Sequence, residues 1–504
     1  MSATIMFILY CLLCGNWMPA NGRQILHDQK EIDIEDFFSH KNATYVISYN
    51  HEFSDVLYIP AGCKIEFKGG SLRGHIVFDD TRLTGKVDLR GSSIHGTVSN
   101  KVFNASWLCS MDGETDDACC INEMIEVCGN IYFPKGYYRL QSIYNTLGHI
   151  PPECESSVRA HIGINRDNVT LKGEKGAEFI TEEPFGTICI YSEPNKLEKT
   201  CRNITINNLI FTVKNNGVDY NGFMHTIKVI GVNDLKIINC VFNDFWGDAI
   251  CLSHYGDSPI TGERTRNENV LIYGCSILGG ESHNNRNGIS VINGKNVTIK
   301  CNHIKDTSSP KQPGGIDIEP NNSAYTIENI LIEKNIIEGV RGFVGAIGIV
   351  LLRDEAPAYN IRIVSNKIYD CKTGIAFGVM TQNSMDGLLI ENNFIDEKTK
   401  SFNFDGKGHA KNWIIKNNTF KKPTKQAIPG NIKVDNLVVK KNKSGIIVPL
   451  FIWAKSMWED IVTFFKNLFQ MIYSTLNRWK EWLLERITDL FKKNESLCVV
   501  SNNN

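Results

Sequence analysis

A chain of 504 residues is too long for one compact core of ordinary shape, which leaves several domains or one elongated solenoid. The composition, 42% hydrophobic and 22% charged, is that of a folded protein, and 54 Lys and Arg against 55 Asp and Glu leave a formal net charge of −1. The missing basic surplus argues against a nucleic-acid partner and leaves a neutral or locally charged polysaccharide open.

In chain order, Ile5 to Cys14 (I-M-F-I-L-Y-C-L-L-C) is an apolar run too short to span a bilayer, with small residues at Ala20 and Gly22 where cleavage fits. The expectation is a signal peptide over residues 1–22 and an exported protein: periplasmic, cell-surface or secreted. The segment before the run has no Lys or Arg, and Cys11-Leu12-Leu13 ahead of Cys14 is a poor lipobox, so lipidation at Cys14 is the weaker reading. Residues 23–110 carry Gly-rich short strands, as in F-K-G-G-S-L-R-G-H-I-V-F, and are expected to form an N-terminal β-module with short coils.

Residues 112–140 read D-G-E-T-D-D-A-C-C-I-N-E-M-I-E-V-C-G-N-I-Y-F-P-K-G-Y-Y-R-L. Asp116 is expected as an N-cap, with Asp117 in the first turn of a helix running to Cys128 and ended by Gly129. This passage resembles the D-G-x-x-D-D…Y-F-P-x-G-x-Y entry of pectate-lyase-superfamily β-helix proteins, a family that includes polysaccharide lyases, glycoside hydrolases and phage tailspikes. The resemblance extends over roughly residues 110–445 and implies an all-β, right-handed parallel β-helix, while leaving the reaction open. Capping explains Asp112, Asp116 and Asp117 better than catalysis does.

Periodicity supports the same fold independently. The segments I-T-I-N-N-L-I-F (204–211), V-T-I-K-C-N-H-I (297–304), I-L-I-E-K-N-I-I (330–337), I-R-I-V-S-N-K-I (361–368) and L-L-I-E-N-N-F-I (388–395) are copies of one pattern. Anchors at Ile206, Ile237, Ile272, Ile299, Ile332, Ile363, Ile390 and Ile415 are each followed five residues later by an apolar residue. With Val439 added, they recur every 24 to 35 residues. Alternation with period two means strands, and each copy is one coil of a solenoid, expected over residues 111–445. Asn302, Asn335, Asn366, Asn393, Asn418 and Asn442 follow the anchors by three and are expected at left-handed bends, stacked as an amide ladder. A second strand set aligns Ile227, Ile250, Ile289, Ile316, Ile347 and Ile375 in the core. Among the sixteen Cys no disulfide or zinc spacing appears, and Cys240, Cys275 and Cys301 are expected to be buried thiols.

Residues 446–504 form a helical tail, aromatic on one face and mixed-sign on the other. It suits packing on the solenoid or homo-oligomer formation better than contact with a membrane surface.

The register places chemistry on the outward columns of the second strand set. Asp317 and Glu319 share one strand and one face, with Ser290, Ile292, Gly348 and Val350 as small or apolar neighbours above and below. Two carboxylates about 6.6 Å apart along a strand suit acid/base cleavage of a glycosidic bond. An ordinary solvated face or a cation site is the alternative. Asp248 and His254 flank the same face two coils away, in W-G-D-A-I-C-L-S-H, which loosely resembles the G-D-D motif of polygalacturonase-type hydrolases but has Ala249 where that motif has its second Asp. Lys228, His283, Arg286 and Arg353 are expected to bind substrate, gripping a carboxylate or sulfate of an acidic sugar. The favoured reading is an exported glycoside hydrolase with no cofactor. A uronate lyase is the alternative among enzymes, with Lys228 or Arg286 as base and calcium held by Asp317, Glu319 and Asp248. A non-catalytic glycan-binding or adhesin-like β-helix is the alternative outside them.

Overall fold

In the computed structural model the described residues are 24–144, 152–183, 185–194, 201–214, 224–245, 247–255, 264–280, 285–308, 312–321, 323–351, 357–379, 384–406, 408–422 and 433–444, with six helical positions further on. Residues up to Ser444 form one compact unit and those from Gly445 onward a second. The expected signal peptide lies outside the described residues. So does most of the tail, although its described positions 462, 465, 466, 473, 479 and 480 are helical. Among the described residues no helix is long and apolar enough to cross a membrane.

The first unit is a right-handed parallel β-helix. Every third strand pairs in parallel with the next, building sheets of 13, 12 and 9 strands. The expected register holds at each rung. In the 13-stranded sheet Ile206, Ile237, Ile272, Ile299, Ile332, Ile363, Ile390 and Ile415 are successive partners. In the 12-stranded sheet Phe211, Phe242, Ile277, Ile304, Ile337, Ile368, Ile395 and Phe420 are. These columns are buried, and each aliphatic side chain so removed from water contributes about 1.5–3 kcal/mol before chain entropy is set against it. The segment before residue 110 has shorter coils: Thr44 pairs with Lys64, and Lys64 with Arg82. Its apolar residues join the same continuous core.

The asparagine ladder forms between the first two sheets. Asn302 Nδ2 donates to Asn335 Oδ1 at 3.0 Å, Asn335 to Asn366 at 2.9 Å, and Asn366, Asn393 and Asn418 to the next Asn at 3.0 Å each. The left-handed residue, however, is the one before each of these Asn: Cys301, Lys334, Ser365, Asn392, Asn417 and Lys441 have φ of 55–58°. The bend needs one residue with positive φ, whose side chain points out, and the next is thereby turned inward. This also corrects the expectation for Cys301, which is half-buried, whereas Cys240 and Cys275 are buried at the ladder position of earlier coils. A second ladder, unseen in the sequence, runs over the surface through Asn360, Asn329, Asn296 and Asn269, all of positive φ.

Helix α1 spans Ala118–Val127, with Asp117 rather than Asp116 at its cap position. The three acids before it serve the backbone. Asp112 accepts from the amides of Glu114 and Thr115, Asp116 from those of Ala118, Gln141 and Ser142, and Asp117 from those of Ser110 and Met111. Gly129 ends the helix with φ of 76°.

Candidate active site

The nine-stranded sheet carries the site. Its strands are β1 (Ala160–Ile164), β2 (Gly186–Tyr191), β3 (Ile227–Ile230), β4 (Ile250–Leu252), β5 (Ile289–Val291), β6 (Gly314–Ile318), β7 (Gly345–Leu351), β8 (Thr373–Val379) and β9 (Lys400–Gly406). Ile227, Ile250, Ile289, Ile316, Ile347 and Ile375 stack inward. Because strand side chains alternate, the residues one further on form the outward column Cys189, Lys228, Cys251, Ser290, Asp317, Gly348, Ala376.

Outward here does not mean open. Two apolar clusters stand on this face. One contains Tyr191, Ile230 and Tyr255, covered by helix α2 (Pro152–Val158). The other contains Val344, Val350 and Ala376. Between them lies a cavity of about 130 Å³ lined by His225, Lys228, Asp248, Ser253, His254, Arg286, Ser290, Ile292, Glu319 and Asn321. The wall near β7 depends on Gly348: a Cβ there would collide with Val344 Cγ1 and come within 3.3 Å of Asp317 Oδ1. Val344 thus occupies space that a side chain at 348 would need. Asp317, on the neighbouring rung, is 1% exposed and is not an open face residue, while Glu319 is half-buried and lines the cavity.

A hydrogen-bond chain links the two buried aspartates. Asp248 Oδ2 accepts from Ser290 Oγ at 2.8 Å, Ser290 Oγ accepts from Asn287 Nδ2 at 2.9 Å, and the same Nδ2 lies 3.4 Å from Asp317 Oδ2. The Asn287 amide N–H also donates to Asp248 Oδ1 at 3.0 Å, and its Oδ1 accepts from the Gly314 amide at 2.7 Å. Asp317 Oδ1 is buried with no hydrogen-bond partner among the described residues. His225 Nδ1 accepts from the Asp248 amide at 3.2 Å and lies 3.3 Å from Asp248 Oδ2.

These environments drive the two carboxyls apart. Burial raises Asp317 well above the ordinary carboxylate range, and Glu319 and Asp248 push the same way against the opposing charge of Arg286. Burial also acts to raise Asp248, but His225, Arg286 and the bonds from Asn287 and Ser290 outweigh it and hold that carboxyl below its usual value. Burial pushes His225 down to about 4 against the pull of Asp248, so near neutral pH its imidazole is uncharged. Burial lowers the Lys228 ammonium. His254 lines the cavity with its ring 4.9 Å from that of Tyr325.

Of the residues singled out in the sequence, the structure brings Asp248, His254, Lys228, Arg286 and Glu319 to one cavity with Asp317 directly behind it. His283 and Arg353 lie outside the described residues. His225 and Asn287 were missed. Each stands two residues before a core Ile, a parity that alternation assigns to the interior. At the bend before the strand their side chains reach the cavity network instead. The signal available in the sequence was the stacking of His225, Asp248 and Asn287 at equal distances before Ile227, Ile250 and Ile289.

No model of a known protein family matches the chain, and no curated protein matches it. Solved structures share the stacked-coil architecture at low identity. The surface adhesin PfbA of Streptococcus pneumoniae is 14% identical, with 69% of this chain and 93% of that one covered at a TM-score of 0.41. The tailspike protein of Acinetobacter baumannii bacteriophage Fri1, a capsular polysaccharide depolymerase, is 12% identical, with 70% and 65% covered at 0.42. The catalytic unit of an α-1,3-glucanase from Streptomyces thermodiastaticus is 12% identical, with 81% and 65% covered at 0.35. Likenesses this distant assign no activity to this chain.

Proposed function

We propose that this protein is an exported enzyme that hydrolyses glycosidic bonds of an extended glycan laid across the cavity. The observation that carries the reading is the pair of joined aspartates, Asp317 pushed well up by burial and Asp248 held low by His225 and Arg286, since carboxyls driven apart by their surroundings are what acid and base roles require. Asp248 is the ionised carboxylate, working on water or on the sugar carbon. Asp317 is the carboxyl that favours the proton, helped by the neighbouring Glu319 charge, and Glu319, which lines the cavity, is placed to relay it to the leaving oxygen. The chain through Ser290 and Asn287 keeps the two aspartates within three hydrogen-bond lengths of each other. Arg286 and Lys228 suit a carboxylate or sulfate on the sugar.

Calcium fits this cavity poorly. The Asp248 oxygens already accept from Asn287 and Ser290, burial disfavours the charged form of Asp317, and Lys228 and Arg286 line the same space. The reading therefore has no metal step. One observation favours a second reaction: burial lowers Lys228, so it can serve as the base of a uronate lyase, with Arg286 neutralising the uronate carboxylate.

The test is a panel of neutral, uronic and sulfated polysaccharides scored for reducing ends and for unsaturated products. Reducing ends without unsaturation are expected. Unsaturated products would move the assignment to the lyase, and glycan binding without turnover on any member would overturn the enzyme reading.

A further inference from the structure

Outside the cavity, Cys109, Asp117 and Cys120 place their ligand atoms within 4.8 Å of one another. Cys109 follows the short 3-10 turn Ala105–Trp107, and Cys120 sits in the first turn of α1. Their sulfurs are 2.8 Å apart although the residues are eleven positions apart in sequence. A metal site and a covalent bond are the two chemistries such a group allows, and geometry separates them. Two thiolates on a tetrahedral zinc ion, each about 2.3 Å from the metal, stand about 3.8 Å apart, well beyond the distance here. The third ligand is also engaged, because the Asp117 carboxylate accepts from the amides of Ser110 and Met111 at 2.7 and 3.1 Å. A disulfide of about 2.05 Å needs the sulfurs to close by less than an ångström.

We infer that Cys109 and Cys120 are joined by a disulfide in the mature protein, pinning the start of α1 to the turn before it and closing the D-G-E-T-D-D loop. Cys120 is half-buried and Cys109 1% exposed, which sets the order of events. The Cys120 thiolate attacks a small disulfide such as oxidised glutathione, forming a mixed disulfide and releasing one glutathione thiolate. The Cys109 thiolate then displaces the second glutathione. Two protein thiols are oxidised, one glutathione disulfide is reduced to two thiols, and the two protons leave with them. The exposed Cys119 is the competitor for the first step; of the two, Cys120 has Cys109 as a resolving thiol at contact distance.

The full-length protein is treated with oxidised glutathione, alkylated without reduction, and cleaved at Asp and Glu so that the chain is cut between the two cysteines. A linked pair of peptides bearing Cys109 and Cys120 is expected, with Cys119 alkylated or glutathionylated. The oxidised protein should melt a few degrees above the reduced one, a difference that Cys119→Ser keeps and Cys120→Ser abolishes. Cys109 and Cys120 both recovered as alkylated thiols, Cys120 linked to Cys119 or Cys128, or zinc protecting both thiols from alkylation would each overturn the assignment.

Discussion

Two columns of stacked polar side chains run along the same coils, and they differ in kind. In the asparagine ladder identical residues repeat, and every group is matched. Asn366 Nδ2 donates to Ile332 O and Asn393 Oδ1, and its Oδ1 accepts from the Asn335 amide and side chain. On the nine-stranded face the column changes at each rung, from Lys228 through Cys251 and Ser290 to Asp317. There one carboxylate oxygen stays unpartnered, a lysine and a histidine are driven toward neutrality, and the column ends beneath apolar side chains. Repetition satisfies buried polar groups within the fold. A break in repetition gathers unlike charges in one buried network, the feature on which the proposed site rests.

Short of changing the carboxylates themselves, the largest effect expected from disturbing this contrast is at Asn287, which bridges Ser290 and Asp317. Asn287→Asp keeps the acceptor for Gly314 but removes the donor to Ser290 and Asp317 and adds a fourth carboxyl to Asp248, Asp317 and Glu319. Turnover should fall by about 100-fold or more, roughly 3 kcal/mol, and the acid limb of the pH–rate profile should move, with some loss of stability from the added buried carboxyl. A loss of stability with an unmoved profile would make Asn287 merely structural.

Next in size is the acid sensitivity of His225. The folded imidazole titrates at about 4 and an unfolded one near 6.5, so between these values the unfolded chain binds the extra proton. Stability from this group is complete above pH 6.5, falls as pH drops toward 4, and is level below that, a change of about 3 kcal/mol. His225→Gln should flatten that part of the curve in denaturant titrations, and an equally steep curve in the variant would contradict it.

In the ladder, Asn366→Ala leaves its neighbours unmatched and should cost about 2 kcal/mol of stability with turnover per folded molecule unchanged. The smallest effect belongs to Lys228→Met, which should weaken binding of an acidic glycan about tenfold and leave a neutral one unaffected. Equal losses for both would remove the charge argument.

The coil register was legible in the sequence because side-chain period fixes it: one slip would turn every Ile outward. The same register placed Asp317 on its strand, whereas Glu319, expected on the same strand, lies one residue past its end at Ile318. What alternation could not convey was the third dimension over the sheet. Val344 packs over Gly348 on the rung next to Asp317, and burial there raises the Asp317 carboxyl. His225 and Asn287 escaped because bends, where alternation lapses, re-aim them. The left-handed residue of the ladder was misplaced by one for the same reason, since φ at a bend is a property of two adjacent residues that share one Asn-rich signal.

The central claim is that the cavity-lining carboxylates perform the cleavage. It is tested most directly by measuring turnover of Asp248→Asn and Glu319→Gln on the best glycan of the panel, with thermal unfolding followed in parallel. The account predicts losses of about 1,000-fold or more in each, with glycan affinity and the unfolding midpoint preserved. Wild-type turnover in either variant would contradict it.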